Sequence, residues 1–252
     1  MAPFINFHKF KDKNILVVQA HTDDADFNCG ATVCRLVDNG ANVIYVVCTK
    51  GEKGTLDSSI DPDELVKIRR EEQKESNSIL GVSETIHFDY PDGELEPTIE
   101  LQEKLTELIR KYRPAMIFCF DTEWPECKIH PDHRSSAVGA LRANSFSGLP
   151  TFFPEQVKNG LEAYQCPVMM LFNPYKKANV FVPVGNLFKR KFSALWAHRS
   201  QMEHLLDDNQ KKLVETLIDL PVSFIMQAVT AIFTKSFIVE EFRELKSSEL
   251  LQ

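Results

Sequence analysis

Apolar runs rich in β-branched residues alternate with charged, helix-type segments through the first half of the chain. Each run has the length and composition of a buried strand, and the runs lie at Asn14–Ala20, Val43–Cys48, Thr85–Phe88 and Ala115–Phe120. Strands that alternate with helices in this way form a parallel sheet with helices on both faces. Few other arrangements bury strands that are apolar on both sides. The sequence therefore predicts an α/β fold with a doubly wound, mostly parallel sheet.

Helix boundary signals support the alternation. We expect a first helix from about Gly30 to Asp38, ended by Asn39-Gly40. Asp61-Pro62-Asp63-Glu64 combines a cap residue, a proline at the first helical position and a capping-box glutamate, so it predicts the start of a long helix. Another helix is expected from about Thr98 to Tyr112. Together these elements predict a Rossmann-like core over residues 1–150.

The pattern changes after residue 150. Pro167–Phe172 and Val180–Val184 predict two strands that pair with each other, and the remaining chain predicts mainly helix. The sequence contains no internal repeat and no Gly/Ser-rich linker that would separate two parts. We therefore predict one domain, residues 1–252, in which residues 151–252 form a mixed strand and helix extension of the core.

Composition narrows the classes of partner. The net charge is −7 and no Lys/Arg block opposes it, which argues against a nucleic-acid partner. The N-terminus has no apolar signal segment, and the longest apolar stretch, Phe224–Phe233, is too short to span a bilayer. We therefore expect a cytoplasmic protein without a membrane span, in which Phe224–Phe233 is either core or the surface of a homo-oligomer. The six cysteines show no CxxC spacing and lie mostly in apolar runs, so we expect them reduced and buried.

Two clusters of histidine and aspartate follow predicted strands. His21-Thr22-Asp23-Asp24 comes directly after the first strand, and His130-Pro131-Asp132-His133 comes after the fourth. In open α/β sheets, ligands bind beyond the carboxyl ends of the strands. A lone histidine at a strand end is usually a hydrogen-bonded structural residue, and adjacent aspartates in a loop are usually helix caps. The conjunction of two such clusters favours a metal site.

The residue types suggest how this site divides its roles. Two imidazoles and one carboxylate form the ligand set of hydrolytic zinc, and His21, Asp24 and His133 supply that set. Asp23, beside a ligand, then serves as the general base for a metal-activated water that attacks an amide. His130 donates to the oxyanion or the leaving group if it stays protonated. Asp132 orients a histidine, and the sequence leaves open which one.

The motifs around these clusters are similar to those of a known family. The segment AHTDDADFNCGAT at residues 20–32 and HPDH at 130–133 resemble the two signature motifs of the LmbE-like (PIG-L type) zinc-dependent N-acetylglucosaminyl de-N-acetylases. The likeness continues at residues 69–72, 89–93, 191–201 and 237–242, and so covers nearly the whole chain. Thr22 stands where the family usually has proline, and Ala31 stands where it usually has a second glycine. Neither difference removes a predicted ligand.

The resemblance implies an activity and further site residues. It implies a Zn²⁺-dependent hydrolase that removes the acetyl group from an N-acetylglucosamine-type small molecule, with Asp23 as base. It also implies that Arg69 and Asp92 contact the sugar, for which a guanidinium and a carboxylate are suitable partners of vicinal hydroxyls. The simpler interpretations are a surface ion pair of Arg69 with Glu72 and a turn role for Asp92 in Pro-Asp-Gly.

Other functions remain open at this point. A zinc amidase that cleaves a non-sugar or thiol-conjugate amide needs the same metal site. A non-catalytic metal- or sugar-binding domain would need neither Asp23 nor His130, so their presence argues against it. A nucleotide-binding function is disfavoured because no GxGxxG follows the first strand and the acidic pair would repel a pyrophosphate. For His198 we predict a structural role near the site.

Overall fold

The computed structural model of the protein describes residues 5–174, 177–205 and 239–249. Its strands are β1 (Asn14–Gln19), β2 (Asn42–Thr49), β3 (Glu84–Tyr90), β4 (Met116–Phe120), β5 (Val168–Phe172), β6 (Val180–Pro183) and β7 (Val239–Lys246). Across the described ranges these strands form one sheet in the order β3-β2-β1-β4-β5-β7-β6. The pairs β1–β2, β2–β3, β1–β4 and β4–β5 are parallel, as the alternating sequence pattern predicts.

Helices join the strands along the chain. They are α1 (Asp24–Asp38), α2 (Pro62–Leu80), α3 (Ile99–Tyr112), α4 (Pro125–Ile129), α5 (Pro131–Ser147), α6 (Pro154–Lys158), α7 (Phe188–Ala197) and α8 (Arg199–Leu205). The start of α2 is as predicted, because the Asp61 side chain accepts hydrogen bonds from the backbone of Asp63 and Glu64. The Thr98 side chain caps α3 in the same way, by accepting from the Leu101 amide at 3.2 Å.

The sheet is covered on both faces. Alternate residues of β1 enter different cores: Ile15 and Val17 pack with side chains of α1 and α7, whereas Leu16 and Val18 pack with side chains of α3 and α5. Helices on both faces explain why β1, β2 and β4 are buried along nearly their whole length and consist mostly of apolar residues. The predicted fold class, an α/β fold with a Rossmann-like, mostly parallel sheet, is confirmed.

The predicted pairing of the two late strands is wrong. β5 and β6 do not pair with each other, because β7 lies between them and is antiparallel to both. The prediction of mainly helix beyond Leu187 is correspondingly incomplete, since α7 and α8 are helical but Val239–Lys246 is a strand. A strand that carries a buried glutamate, Glu240, among other charged residues lacks the apolar signature by which strands are predicted.

The first helix begins six residues earlier than the predicted Gly30, at Asp24. Cys29 interrupts it with non-helical backbone angles, φ −140° and ψ 15°. The part after this break is capped from β7, because the Glu240 carboxylate accepts hydrogen bonds from the amides of Ala31 at 2.8 Å and Thr32 at 2.7 Å. The predicted start at Gly30 therefore corresponds to the start of the second segment of a kinked helix. The first turn, before the kink, carries part of the histidine–aspartate cluster.

Glu240 also forms a fully buried ion pair. Lys191 Nζ on α7 lies 2.7 Å from Glu240 Oε1, and both side chains are completely inaccessible to solvent. The pair joins α1, α7 and β7 in one contact. A buried charge that loses its partner is left uncompensated in a medium of low polarity, which is far more destabilising than loss of a surface pair.

We predict that Lys191→Met lowers the free energy of unfolding by about 3–5 kcal/mol, the range found when one partner of a buried ion pair is removed. The remaining partner, Glu240, would keep its amide donors but lose its cation. Lys189→Met is the matched control, because Lys189 lies exposed on the same helix. Denaturant unfolding of the two variants measures the difference, and equal stability of both would contradict the importance of the buried pair.

Several remaining sequence predictions concern burial and membranes. All six cysteines are buried and unpaired, as expected. In the described part of the chain, no helix has the length and apolar character needed to cross a membrane. The apolar stretch Phe224–Phe233 lies outside the described residues, so its interpretation as core or oligomer surface stays a prediction. The single-domain organisation also stays a prediction.

Candidate active site

The first histidine–aspartate cluster lies at the junction of β1 and α1. His21 is in the short turn, Asp23 is the residue that precedes the helix, and Asp24 is its first residue. The Asp24 carboxylate turns back onto the strand end, where Oδ2 accepts hydrogen bonds from the amides of Ala20 at 3.0 Å and His21 at 2.8 Å. These bonds fix the carboxylate beyond the carboxyl end of β1.

The second cluster lies at the start of α5, after β4 and the short helix α4. His130 precedes α5, and Asp132 and His133 are in its first turn. Asp132 is completely buried and accepts hydrogen bonds from the amides of Gly93 at 2.7 Å and Leu95 at 3.0 Å. This carboxylate therefore connects α5 to the loop that follows β3.

The structure brings the two clusters into contact. His133 Nε2 lies 3.2 Å from Asp24 Oδ1, and His21 Nδ1 lies 3.6 Å from Asp24 Oδ2. His21 Nε2 lies 3.1 Å from Asp132 Oδ2 and 3.1 Å from Asp92 Oδ1. The histidine that contacts Asp132, left open by the sequence, is thus His21. Asp24 lies between His21 and His133, the two histidines predicted with it as metal ligands.

Aromatic rings hold the second cluster in a stack. The ring of His133 lies between that of His130, at a centroid distance of 4.1 Å, and that of Phe120, at 4.3 Å. Trp124 stacks on Phe120 at 5.5 Å. Stacking on both faces restricts the rotation of the His133 ring and helps keep its nitrogen directed at Asp24.

The carboxylates create a local field that favours positive charge. Burial disfavours protonation of His21, but its contacts with Asp132, Asp24 and Asp92 outweigh burial and raise its pKa well above the usual value. Burial likewise disfavours ionisation of Asp24, yet the neighbouring His133 and His21 outweigh it and hold the pKa of Asp24 well below its usual range. The pKa of Asp92 is also lowered, since its hydrogen bond with His21 outweighs burial.

His130 differs from His21. Burial lowers the pKa of His130, and the neighbouring His133 and His21 lower it further. This direction favours the neutral ring and opposes the expectation that His130 stays protonated. His130 Nδ1 and His133 Nδ1 are buried, and neither has a hydrogen-bond partner in the described part of the chain.

The donor set fits a divalent cation. One ligand nitrogen each from His21, His130 and His133 can be chosen so that all three lie within 4.8 Å of one another. The same holds for one ligand atom each from His21, Asp92 and Asp132. Imidazole nitrogens and carboxylate oxygens are the ligands that zinc takes in hydrolytic sites, and the field at His21 favours a cation. Both groupings include His21, and neither is the predicted set of His21, Asp24 and His133, so this geometry does not select the predicted ligands.

A cleft of about 610 Å³ opens over the cluster. Of the eight predicted site residues, seven line this cleft: His21, Asp23, Asp24, Arg69, Asp92, His130 and His133. The eighth, Asp132, is buried and contacts His21. The cleft is also lined by Lys53, Gly54, Gly93, Pro131 and Gln201.

Arg69 is buried, with only 3% of its surface exposed, and does not form the surface ion pair with Glu72. Its Nη2 lies 3.5 Å from Asp23 Oδ1 and its Nη1 donates to the Gly51 carbonyl at 2.9 Å. Glu72 instead accepts hydrogen bonds from the amide and the hydroxyl of Ser200. Arg69 thus joins the predicted base to a loop of the cleft.

Asp92 is held by the loop that follows β2. Its Oδ2 accepts from the Lys53 amide at 3.2 Å, its carbonyl accepts from Lys53 Nζ at 2.7 Å, and its amide donates to the Glu52 carboxylate. Lys53 and Gly54 were not predicted as site residues, because the sequence shows this segment only as a polar loop. The two glycines that flank Glu52-Lys53 were the available signal of a tight backbone approach.

His198 is completely buried and does not line the cleft. Its Nε2 lies 2.8 Å from Asp26 Oδ2, and the Asp26 carboxylate also accepts hydrogen bonds from the hydroxyls of Tyr45 and Ser76. The predicted structural role of His198 agrees with these contacts. Gln201, three residues further, does reach the cleft.

The fold and the cluster together define a class: a Rossmann-like α/β protein with a candidate metal centre beyond the ends of β1 and β4. The family model described as PIG-L, GlcNAc-PI de-N-acetylase, matches residues 16–144, and the chain belongs to this family. The members of the family are deacetylases that are generally metal-dependent. The resemblance noted in the sequence is therefore confirmed.

Individual relatives cover most of the chain. A diacetylchitobiose deacetylase from Thermococcus kodakarensis is 34% identical over 75% of this chain and 70% of its own. A probable N-acetyl-α-D-glucosaminyl L-malate deacetylase from Bacillus cereus is 27% identical over 80% of this chain and 90% of its own. The solved structure of N,N′-diacetylchitobiose deacetylase from Pyrococcus horikoshii aligns with a TM-score of 0.78 at 32% identity, covering 94% of this chain and 85% of that one.

Proposed function

We propose that the protein is a zinc-dependent hydrolase that removes the acetyl group from an N-acetylglucosamine-type small molecule. The observation that carries this proposal is the position of Asp24 between His21 and His133, with Asp23 beside them at the cleft surface. Membership of a deacetylase family and relatives named for N-acetylated sugars support the substrate class.

We propose His21, Asp24 and His133 as the residues that hold the metal. Asp24 supports this set because its two oxygens face different histidines, and each lies within 3.6 Å of a ring nitrogen. Asp132 would then orient His21 through their 3.1 Å contact. When bound, a zinc ion supplies a Lewis acid for the amide carbonyl and makes water more acidic.

Asp23 is the group proposed to move the proton. It lines the cleft, is 26% exposed, and is adjacent in sequence to a proposed ligand. Its carboxylate takes a proton from the attacking water and returns that proton to the nitrogen of the leaving amine. Arg69 Nη2 lies 3.5 Å from one oxygen of this carboxylate.

His130 is proposed to stabilise the oxyanion as a neutral hydrogen-bond donor. The lowered pKa of His130 favours the neutral ring in the free protein, so its proposed role does not require an imidazolium. The ring lines the cleft and is held by its stack on His133. A neutral donor aimed at developing negative charge is an effective form of catalysis in a cleft.

Arg69 and Asp92 are proposed to form hydrogen bonds with the hydroxyls of the sugar. We expect Arg69→Ala to lower kcat/KM for diacetylchitobiose roughly 10- to 100-fold, because a hydrogen bond to a charged group contributes about 1.5–3 kcal/mol. The loss for a simple N-acetyl amine, which has no ring hydroxyls, should be much smaller. Acetate release from both substrates measures the difference.

Arg70→Ala is the matched control for this prediction. Arg70 lies next in sequence but pairs with Asp89 and does not line the cleft. We expect it to leave both substrates unaffected. Equal losses on the sugar and the simple amide in Arg69→Ala would remove the carbohydrate specificity and favour a zinc amidase that acts on other amides.

A further inference from the structure

The loop Gly51–Gly54 lies directly against the guanidinium of Arg69. Gly51 accepts a hydrogen bond from Arg69 Nη1 through its carbonyl. A Cβ built on Gly54 would lie 3.5 Å from Arg69 Cζ and would overlap Nη1. The φ of Gly54 lies outside the left-handed region, so φ does not favour glycine at this position. The close approach to the end of the Arg69 side chain is therefore the contact that a larger residue at this position would disturb.

The same loop is anchored from its other side by Gln201. Gln201 Nε2 donates to the Gly54 carbonyl at 2.8 Å. The start of α8, which carries Gln201, is fixed to α2 because Glu72 accepts hydrogen bonds from the Ser200 amide and hydroxyl, each at 2.7 Å. Gly54 is thus held between two side chains that both line the cleft.

Arg69 in turn has little freedom. Its three guanidinium nitrogens contact the Thr22 hydroxyl at 3.4 Å, the Gly51 carbonyl at 2.9 Å and Asp23 at 3.5 Å. Any atom added at Gly54 must displace either the loop or the guanidinium. Displacement of the guanidinium would change its position relative to Asp23. The added atom itself would lie nearest to Arg69, not to His21, Asp24 or His133.

We infer that Gly54 is a positioning residue for Arg69. We also infer that the hydrogen bond from Gln201 keeps the loop Gly51–Gly54 close to Arg69, which is possible because Gly54 has no side chain. The effect on sugar recognition rests on the proposed function. A displacement of about 1 Å in a positioning group is enough to lower kcat/KM roughly 100-fold. The signature is a loss confined to the sugar substrate, with little change in kcat for a simple N-acetyl amine.

A double-mutant cycle tests this coupling in the full-length, zinc-loaded protein. Gly54→Ala should lower kcat/KM for diacetylchitobiose about 10- to 100-fold, mainly through KM, if it misplaces Arg69. In an Arg69→Ala background the same change should cost less than about twofold, since interacting residues are non-additive. An equal loss from Gly54→Ala in both backgrounds would overturn the inference.

Two further variants complete the design. Leu56→Ala, at a side chain that is 85% exposed in the same loop region, should behave as the parent. Gln201→Leu removes the anchor and adds no atom at Gly54, so it keeps the test decisive if Gly54→Ala fails to fold. Gln201→Leu should also lower kcat/KM for diacetylchitobiose selectively, and only in the protein that retains Arg69. An equal loss in the Arg69→Ala background would count against the inference.

A labelling measurement tests the geometry without catalysis. Phenylglyoxal modification of Arg69, compared by peptide mass spectrometry with that of Arg70, whose side chain is 37% exposed, should be slow in the parent because Arg69 is 3% exposed. It should be faster in Gly54→Ala and Gln201→Leu, and unchanged labelling in both variants would overturn the inference. A parent protein that hydrolyses no N-acetylated sugar would refute the proposed function instead, and the labelling would still report on Gly54.

Discussion

The double variant Asp24→Ala, His133→Ala should lose both its zinc and its hydrolytic activity. The parent is expected to hold about one zinc per chain, the stoichiometry of a mononuclear hydrolytic site. Asp24 and His133 face each other at 3.2 Å, so removing both leaves His21 as the single proposed ligand. Metal analysis by mass spectrometry and acetate release on the purified variants measure the two losses, and zinc retained in the double variant would contradict the ligand assignment.

His130 is the control that distinguishes the ligand sets. A ligand nitrogen of His130 lies within 4.8 Å of those of His21 and His133, so a three-histidine site is the competing arrangement. If Asp24 is the third ligand, His130→Ala should keep its zinc and lose only rate. Loss of zinc in His130→Ala, with zinc kept in Asp24→Ala, would reverse the assignment. Chelation should inactivate the parent, and added zinc should restore it.

The elements that could be predicted from sequence are those whose signals are local. β1, β2 and β4 are buried on both faces, and so they appear as uninterrupted apolar runs. The two polar clusters were visible because each follows such a run directly. The parallel sheet then brings the ends of β1 and β4 together, since these strands are neighbours in the sheet. The predicted site residues follow from these local signals and from the family motifs.

The sheet edge could not be predicted, because its signal is not local. Glu240 is buried in β7 only because Lys191, 49 residues earlier, neutralises it and the amides of α1 bind its carboxylate. Without that partner, a glutamate in the middle of a segment indicates an exposed position. β7 was therefore missed, and with it the separation of β5 from β6. The early start of α1 was missed for a related reason, since Cys29 divides the helix and the same distant carboxylate caps its second segment.

The roles within the site depend on tertiary contacts to different degrees. Sequence spacing offered Glu72 as the partner of Arg69, but Glu72 binds Ser200 and Arg69 binds the turn around Asp23. The protonation state of His130 also depends on distant residues, because burial and two other histidines lower its pKa. Motifs thus identify the chemical groups, whereas the packing of the loops around them decides which group each one contacts.

Asp23→Asn should keep the metal and lose roughly 10²–10⁴ in kcat, the contribution typical of a positioned general base. Asparagine has nearly the same shape and still reaches Arg69, but its amide has no carboxylate to accept the proton of the attacking water. KM should change little, because Asp23 is not among the groups proposed to read the sugar. Steady-state kinetics on diacetylchitobiose and metal analysis of the same preparation measure the two properties.

The metal content of this variant decides between two roles for Asp23. Asp23 is next to Asp24 in sequence, but its side chain contacts Arg69. That side chain is 26% exposed and lines the cleft. A base in that position can be neutralised without disturbing His21, Asp24 or His133, so zinc stays bound while turnover falls. If zinc is lost together with activity, Asp23 is a ligand. If zinc stays and kcat is unchanged, another group accepts the proton and the proposed mechanism fails at this step. Asp23→Glu, which restores a carboxylate on a longer side chain, should recover part of the lost kcat only if a carboxylate is the acceptor.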